Sequence, residues 1–256
     1  EFEQMIHTEK VLYHFQPIYA ANTGRVVAYE ALMRVPDFPA LRSPAMVMKL
    51  ANEQGCLYDI ERITMFKASE QFEWLRQNRR IRYDAMLFIN SIASVSLSDL
   101  DWNEYVKTHA ALLGQLVVEI TEEEQLNLEA LERKRNVPGS RGIFALDDYG
   151  SGYSNGSSLL SLSPRYVKVD ISIIRNIDTD PDKQRFLTSL IEYARPYGIK
   201  VLAEGVETLE ELHTVLALGV DLLQGYCLAK PAAIPPAIDP KALDVIQKYH
   251  AEFSDF

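Results

Sequence analysis

The chain has few of the features that mark a secreted or membrane-spanning protein. Only two of its 256 residues are cysteines, Cys56 and Cys227, and they lie far apart without metal-site spacing. One possible bridge is poor support for an oxidising compartment, so both cysteines are expected to be reduced packing residues. No apolar run approaches the roughly 20 residues that span a bilayer, and no signal segment opens the chain. The sequence predicts a soluble, cytoplasmic segment without direct membrane insertion, whose full-length form could be anchored by other segments.

Positive charge is also scarce. The chain has 36 aspartates and glutamates against 26 lysines and arginines, which gives a formal net charge of -10. Binding to a nucleic-acid backbone needs a basic face that displaces counterions. DNA is therefore not expected as a partner, and an anionic substrate would need metal ions to offset its repulsion by the protein.

Linkers, repeats and low-complexity tracts are missing as well. We therefore expect residues 1–256 to form a single domain. Because the chain begins at Glu1 rather than at a methionine, we expect it to be excised from a longer chain that carries regulatory or sensor domains.

Short apolar runs rich in β-branched residues alternate with longer helical segments, which is typical of a parallel β/α architecture. Residues 21–24 between the first two runs have hairpin-turn chemistry, so this first pair is expected to be antiparallel. Eight strands with intervening helices predict a TIM-like (β/α)8 barrel with an antiparallel first strand pair. The predicted strands are 11–19, 24–32, 85–90, 115–120, 142–147, 166–170, 199–203 and 220–223.

Helix start and stop signals fit between these strands. One helix is predicted from Ser43-Pro44 to Gly55, and a long one from Asp59. Residues 208–211 fit a capping box, and residues 239–256 form a predicted helical extension at the carboxyl end.

Polar residues end nearly every predicted strand. Any one of them alone is more often a helix cap or a solvated loop residue than part of a site. Several carboxylates that converge on one barrel mouth, however, would raise each other's pKa unless cations neutralised them. The strand ends carry Glu30, Asn90, Glu119, Asp147 with Asp148, Lys168 with Asp170, Glu204 and Gln224.

The types of these side chains select a class of metal. The five histidines are scattered without zinc-ligand spacing, and neither cysteine ends a predicted strand beside the acids. Carboxylate and amide oxygens suit Mg²⁺ and Mn²⁺. One carboxylate of the adjacent pair Asp147 and Asp148 can bridge two ions while the other binds one. Two ions about 3.5 to 4 Å apart are the usual apparatus for in-line attack on a phosphodiester.

The residues from Glu30 to Arg34 read Glu-Ala-Leu-Met-Arg, which resembles the signature that names the EAL phosphodiesterase family. Seven further motifs follow the family's order between about residues 10 and 232. A lone Glu-Ala-Leu carries no weight, but eight ordered motifs at strand ends are very specific. The other motifs are Gln16-Pro17-Ile18, Asn90, Glu119-Ile120-Thr121-Glu122, Asp147-Asp148-Tyr149-Gly150-Ser151-Gly152-Tyr153-Ser154, Lys168-Val169-Asp170, Ala203-Glu204-Gly205-Val206-Glu207-Thr208 and Gln224-Gly225-Tyr226.

The resemblance implies hydrolysis of cyclic di-GMP to linear 5'-pGpG with two divalent cations, Mg²⁺ or Mn²⁺. Ca²⁺ is expected to bind without supporting turnover. A homodimer is also implied, as are GGDEF or sensor domains on the full-length chain.

The roles of individual residues are likewise implied by the resemblance. Lys168 would hold or activate the attacking water and Glu204 would orient or deprotonate it, with the choice of general base left open. One metal would be held by Glu30, Asn90, Glu119 and Asp147, and a second by Asp147, Asp148 and Glu204. The substrate would be contacted by Gln16, Arg34 and Gln224. The loop after Asp148 would be supported by Glu122, Asp170 and Glu207.

Two other classes of protein remain as alternatives. EAL domains that have lost ligands can serve as cyclic di-GMP receptors without hydrolysing it, but here every metal and lysine position is filled. A dimeric interaction scaffold would leave the acidic cluster unexplained. Arg34 could instead form a surface ion pair, and Gln224 could cap the last strand.

Overall fold

The computed structural model describes residues 1–41, 43–121, 126–151 and 156–253. Within them, eight strands close into one barrel in sequence order. The barrel that the sequence predicts is therefore confirmed. The strands are β1 (Leu12–Ala20), β2 (Val26–Arg34), β3 (Met86–Asn90), β4 (Leu116–Thr121), β5 (Ile143–Tyr149), β6 (Tyr166–Val169), β7 (Lys200–Ala203) and β8 (Leu222–Leu223).

The first strand runs against its neighbours. β1 pairs antiparallel with both β2 and β8, whereas the remaining neighbours pair in parallel. The hairpin turn closes with a 2.8 Å hydrogen bond from the Gly24 N–H to the Ala20 carbonyl. Gly24 has φ 65°, and a Cβ there would lie 2.7 Å from Leu243 Cδ1. The left-handed turn therefore favours glycine, whereas the Leu243 side chain could shift to admit a Cβ.

Helices surround the barrel. The long predicted helix begins at Leu57, two residues before Asp59, because Cys56 occupies the N-cap position and Asp59 falls in the first turn, where an acid suits the helix dipole. The capping box of Thr208 and Glu211 is present. The helices are α1 (Phe2–Thr8), α2 (Pro44–Gln54), α3 (Leu57–Gln77), α4 (Asp99–Thr108), α5 (Leu128–Arg135), α6 (Gly156–Leu162), α7 (Ile171–Ile174), α8 (Pro181–Ala194), α9 (Leu209–Leu218) and α10 (Pro240–Phe253).

Two predicted boundaries differ from the structure near the carboxyl end. β8 is shorter than predicted because the Val220 N–H still bonds to the Val215 carbonyl in the turn that ends α9. The carboxyl-terminal helix α10 ends at Phe253, and residues 254–256 of the predicted extension lie outside the described ranges. None of the described helices is both long and apolar enough to cross a membrane.

An apolar layer fills the inside of the barrel. Seven strands each contribute one buried side chain to it, and β6 adds the half-buried Tyr166. Because successive side chains of a strand point to opposite faces, the residue two positions further along each strand points inward again. The seven buried side chains are Ile18, Ala28, Phe88, Val117, Ala145, Leu202 and Leu222.

Candidate active site

The next inward layer toward the carboxyl ends of the parallel strands is polar. Each of its residues lies two positions beyond a residue of the apolar layer, or two positions before it on the antiparallel β1. The alternation of strand side chains therefore builds this site, in the layer where barrel enzymes carry their chemistry. The eight residues are Gln16, Glu30, Asn90, Glu119, Asp147, Lys168, Glu204 and Gln224.

Lys168 lies at the centre of this layer with only 1% of its surface exposed. Its Nζ is 2.6 Å from Glu119 Oε1, 2.8 Å from Glu204 Oε1, 3.0 Å from Asp147 Oδ1 and 3.4 Å from Glu30 Oε1. One ammonium group cannot neutralise four carboxylates. The cluster therefore carries surplus negative charge when its acids are ionised.

The pKa values respond to this surplus. Burial raises the pKa of Glu119 and Glu204 well above the ordinary value against the opposing pull of Lys168, and neighbouring carboxylates raise it further. Burial disfavours the charge of Lys168, but the surrounding carboxylates outweigh it and hold its pKa well above the usual range. Burial, followed by the charge of Asp147, raises the pKa of Asp148 to about 6. The site therefore favours additional protons or cations.

Asp148 has an unusual backbone that brings two adjacent carboxylates together. Its φ is 54°, in the left-handed region that costs a residue with a side chain energy. Its N–H donates a 2.9 Å hydrogen bond to Asp147 Oδ1, and the pairing of β5 with β6 is irregular at this point. In a regular strand these two side chains would point to opposite faces. The left-handed turn instead leaves both within reach of one ion.

The carboxylates form two groups that fit hard divalent cations. Glu30, Glu119 and Asp147 each offer an oxygen within 4.8 Å of the others, and Asp147, Asp148 and Glu204 do the same. Asp147 belongs to both groups. Glu119 Oε1 lies 2.6 Å from Lys168 Nζ, and the other oxygen, Oε2, has no hydrogen-bond partner among the described residues. An all-oxygen set with surplus charge and open lone pairs suits Mg²⁺ or Mn²⁺.

Asn90 and the two predicted glutamines border the carboxylates. Asn90 Nδ2 lies 3.4 Å from Glu30 Oε1 and Gln224 Nε2 lies 2.6 Å from Glu30 Oε2. The Gln224 Oε1 is buried without a hydrogen-bond partner among the described residues. Gln16 donates a 3.2 Å hydrogen bond to the Ala229 carbonyl. Both glutamines line a cavity of about 280 Å³ at the barrel mouth, where a ligand could reach them.

Arg34 lies to one side of this mouth. Its Nη1 donates a 2.8 Å hydrogen bond to the Met33 carbonyl. The side chain lines a second cavity of about 340 Å³ between β2, α2 and α3. The two cavities share Glu30 and Leu32. The structure therefore places Arg34 beside the carboxylate cluster but not within it.

Comparison with known families decides the affiliation of this barrel. The family model described as the EAL domain matches residues 1–231. The chain belongs to the EAL domain family. This confirms the resemblance of the motifs, and the match begins earlier than the predicted residue 10 and ends one residue before the predicted 232.

Individual EAL proteins are similar over most of the chain. Cyclic di-GMP phosphodiesterase PA2567 of Pseudomonas aeruginosa is 32% identical over 236 residues, which cover 85% of this chain and 38% of that protein. A standalone EAL protein from Vibrio cholerae in its c-di-GMP bound form has a TM-score of 0.73 and 27% identity, and the match covers 91% of this chain and 97% of that one.

BlrP1 from Klebsiella pneumoniae has been solved as a calcium/cy-diGMP complex and as a manganese/cy-diGMP complex. Both have a TM-score of 0.73 and 26% identity over 87% of this chain and 56% of that one. The chain spans less than half the length of the first curated relatives that it matches.

The residues predicted to support the loop of this EAL domain lie around the barrel mouth or outside the described ranges. The half-exposed Glu207 carboxylate pairs with the Arg175 guanidinium. Asp170 accepts a 2.9 Å hydrogen bond from the Ser172 N–H at the start of α7. Glu122 lies outside the described residues, as do residues 152–155 of the loop that it is predicted to support. All three roles in loop support stay predictions.

Glu211 is a loop-holding residue that the sequence indicates only as part of a capping box. Its buried carboxylate accepts hydrogen bonds from the backbone N–H groups of Glu207 at 2.8 Å, Thr208 at 3.1 Å and Asn176 at 2.9 Å. It therefore ties the segment after α7 to the loop that follows Glu204. A glutamate in the first turn of α9, on the face that also carries Val215, is the sequence signal that could have found it.

Two further buried charged residues are not among the predicted site residues. Glu61 of α3 and Lys134 of α5 are 1% and 3% exposed, and Glu61 Oε1 lies 2.9 Å from Lys134 Nζ. They contact the residues that directly follow Asn90. Glu61 shares the buried stripe of α3 with Met65, and a charge within such a stripe is the available sequence signal.

Proposed function

We propose that this chain is a metal-dependent phosphodiesterase that hydrolyses one phosphodiester bond of cyclic di-GMP to give linear 5'-pGpG. The observation that carries the proposal is the pair of carboxylate groups that share Asp147 around a buried lysine at the barrel mouth. The name of the P. aeruginosa relative and the cyclic di-GMP complexes of similar structures support this substrate.

The proposed cofactor is a pair of divalent cations, Mg²⁺ or Mn²⁺. When bound, such ions polarise the phosphoryl oxygens and lower the pKa of water. The calcium and manganese complexes of BlrP1 support a divalent ion in this kind of site. In this chain, Glu30, Asn90, Glu119 and Asp147 would hold one ion, and Asp147, Asp148 and Glu204 would hold the other.

Lys168 and Glu204 are the residues proposed to handle protons. Lys168 Nζ lies 2.8 Å from Glu204 Oε1, so both groups can contact one water: the Lys168 ammonium would orient it, and Glu204 would accept its proton. Hydrolysis forms one bond between water oxygen and phosphorus and breaks the bond from phosphorus to a ribose 3'-oxygen, which takes up a proton. The ammonium of Lys168 stabilises negative charge that develops beside it.

The remaining polar residues are proposed to orient the nucleotide. Gln16 and Gln224 line the mouth beside Glu30, and the carbonyl oxygen of Gln224, which has no partner among the described residues, can accept a hydrogen bond. Arg34, at the neighbouring cavity, has the planar fork that suits a phosphate. The homodimer and the flanking GGDEF or sensor domains stay predictions, which light scattering of this chain and sequencing of the full-length gene would test.

The deciding experiment is incubation of the purified protein with cyclic di-GMP and Mg²⁺, Mn²⁺ or Ca²⁺, followed by chromatography of the products. We expect pGpG with Mg²⁺ and Mn²⁺. With Ca²⁺ we expect cyclic di-GMP binding without turnover, because Ca²⁺ accepts looser geometry and more ligands. Binding without pGpG in any metal would instead identify a receptor. Equal rates in Ca²⁺ and Mg²⁺ would contradict the proposed use of the ions.

A further inference from the structure

We propose that the buried pair Glu61 and Lys134 is a positioning device for Asn90, and that it sets the affinity of the metal group containing Glu30 and Glu119. This inference rests on the proposed function, because it assigns Asn90 to a metal ion. Neither residue touches the carboxylate cluster. Their effect is exerted through the two residues that follow Asn90.

The pair holds both of these residues with direct hydrogen bonds. Glu61 accepts a 2.6 Å hydrogen bond from the Ser91 hydroxyl and a 2.8 Å hydrogen bond from the Ile92 N–H. Lys134 donates to the Ser91 hydroxyl oxygen and to the Ile92 carbonyl, both at 2.6 Å. The direction of the backbone immediately after Asn90 is therefore fixed by four charge-assisted hydrogen bonds.

The same segment is joined to the neighbouring metal strand. The Ser91 N–H donates a 3.0 Å hydrogen bond to the carbonyl of Glu119, and Asn90 is paired with Glu119 across β3 and β4. Lys134 lies on α5, which is the next described element after β4. The network therefore ties the backbones of two proposed metal ligands to the surrounding helices.

A cavity borders one side of this segment, although Ile92 itself packs in the core. The 340 Å³ cavity is bordered by Asn90, Ser91 and Ile92 on one side and by residues of α2 and α3 on the other. Side chains next to a cavity lose packing partners on that side. The hydrogen bonds to Glu61 and Lys134 restrain the backbone of this segment in addition to the packing of Ile92.

A role in stability alone explains the pair poorly. A buried ion pair is often no more stabilising than well-packed apolar residues of similar volume, because both charges lose their hydration. What an apolar pair cannot supply is the set of directed bonds to Ser91 and Ile92. The expected signature is therefore a change in metal affinity that is separable from the change in stability.

The test measures Mn²⁺ binding to the metal-free protein through the electron paramagnetic resonance signal of unbound Mn²⁺, beside thermal unfolding. We expect Glu61→Gln and Lys134→Met to weaken Mn²⁺ binding about 10- to 100-fold, as the loss of residues that orient ligands does. The double variant Glu61→Leu with Lys134→Met leaves no unpaired buried charge. It should recover part of the thermal stability that the single variants lose, because Ser91 and Ile92 are still left without their partners, but it should not recover Mn²⁺ affinity.

Glu73→Gln is the matched control on the same helix. The Glu73 carboxylate forms a largely buried pair with His109, 2.7 Å from Oε2 to Nδ1, away from the metal groups. It should lower thermal stability without changing Mn²⁺ affinity. Turnover of Glu61→Gln should recover at saturating Mn²⁺.

Three results would overturn the inference. They are parental Mn²⁺ affinity in the double variant, an equal loss of affinity in Glu73→Gln, and a parent protein that binds no Mn²⁺. A parent that binds Mn²⁺ but releases no pGpG would contradict the proposed function alone, since the affinities of the variants would still decide the role of the pair.

Discussion

Two buried lysines of this barrel differ in the number of carboxylates around them, and so in whether the local charge is balanced. Lys134 faces the single carboxylate of Glu61 and two neutral oxygens, so its charge is balanced and its hydrogen bonds are made. Lys168 faces four carboxylates at hydrogen-bond distances. Both are nearly inaccessible to water, so burial does not distinguish them.

The difference separates a structural charge from a chemical one. A balanced buried pair requires no additional group, because each charge compensates the other. An unbalanced cluster is costly when its acids are ionised, and only protons or bound cations relieve the cost. Within the described residues, the surplus around Lys168 is thus the feature that points to metal ions, whereas the pair at Lys134 points to support of the backbone.

The largest expected effect comes from removing the carboxylate shared by both metal groups. Asp147→Asn should abolish pGpG formation, because a neutral amide cannot hold two cations together. In the absence of metal the variant should be at least as stable as the parent, since it carries less surplus charge. Chromatography of products and thermal unfolding in EDTA measure the two effects. We expect that excess Mg²⁺ will not rescue the activity of the variant. Near-normal turnover at ordinary Mg²⁺ would show that the assignment to two metals is wrong.

Lys168→Met should produce the next largest effect. Removing one partner of a buried charge pair costs about 3–5 kcal/mol, and here four carboxylates lose their cation. Saturating Mg²⁺ should restore more stability to this variant than it adds to the parent, because the ions replace the lost charge and bind only the folded form. Thermal unfolding with EDTA and with Mg²⁺ measures this gain.

Lys134→Met is the control for that measurement. It also breaks a buried ion pair, but Mg²⁺ bound at the carboxylate cluster cannot replace the missing ammonium beside Glu61. The gain in stability from Mg²⁺ should therefore be no larger than in the parent. A gain as large as that of Lys168→Met would remove the distinction between the two lysines.

The sequence predicts the carboxylate cluster at the barrel mouth better than it predicts the buried pair of Glu61 and Lys134. Glu30, Glu119 and Asp147 end short apolar runs, and the period-two alternation of strands is enough to bring such residues into one layer. Glu61 and Lys134 are distant in sequence, and their contact depends on how α3 and α5 pack on the barrel. Local sequence patterns do not predict how these two helices pack on the barrel.

The sequence patterns do not indicate the left-handed backbone of Asp148 either. Left-handed conformations are uncommon for residues other than glycine, although aspartate adopts them more often than most. The predicted strand ends at Asp147, and no local pattern marks the next residue as left-handed. The surrounding barrel maintains this uncommon conformation. The sequence thus indicates that Asp147 and Asp148 form a pair, but not the turn that lets both face one site.

A smaller effect is expected at the exposed pair of Glu207 and Arg175. If Glu207 supports the loop after Asp148, Glu207→Ala should weaken Mg²⁺ affinity and slow turnover by roughly 10- to 100-fold, with partial recovery at high Mg²⁺. Glu122→Ala should behave alike. Titration of the reaction rate with Mg²⁺ measures the midpoint.

Arg175→Met is the control, because it breaks the same ion pair while keeping Glu207. If the ion pair itself positions the loop, both variants should shift the Mg²⁺ midpoint. A midpoint identical to the parent's in Glu207→Ala, together with lower thermal stability, would reduce Glu207 to a capping role.

The smallest expected effect is the pH dependence that Asp148 gives to the metal-free protein. Burial and the charge of Asp147 raise its pKa from 3.8 to about 6 in the folded protein. The folded form therefore binds this proton more tightly than the unfolded chain, so the stability that it contributes is complete below about pH 4 and is lost as the pH rises through 6. Asp148→Asn has no such charge to bury. In EDTA, the variant should unfold at a higher temperature than the parent at pH 7.5, and the difference should disappear near pH 4. If the difference in unfolding temperature between variant and parent is the same at both pH values, the charge of Asp148 does not destabilise the metal-free protein.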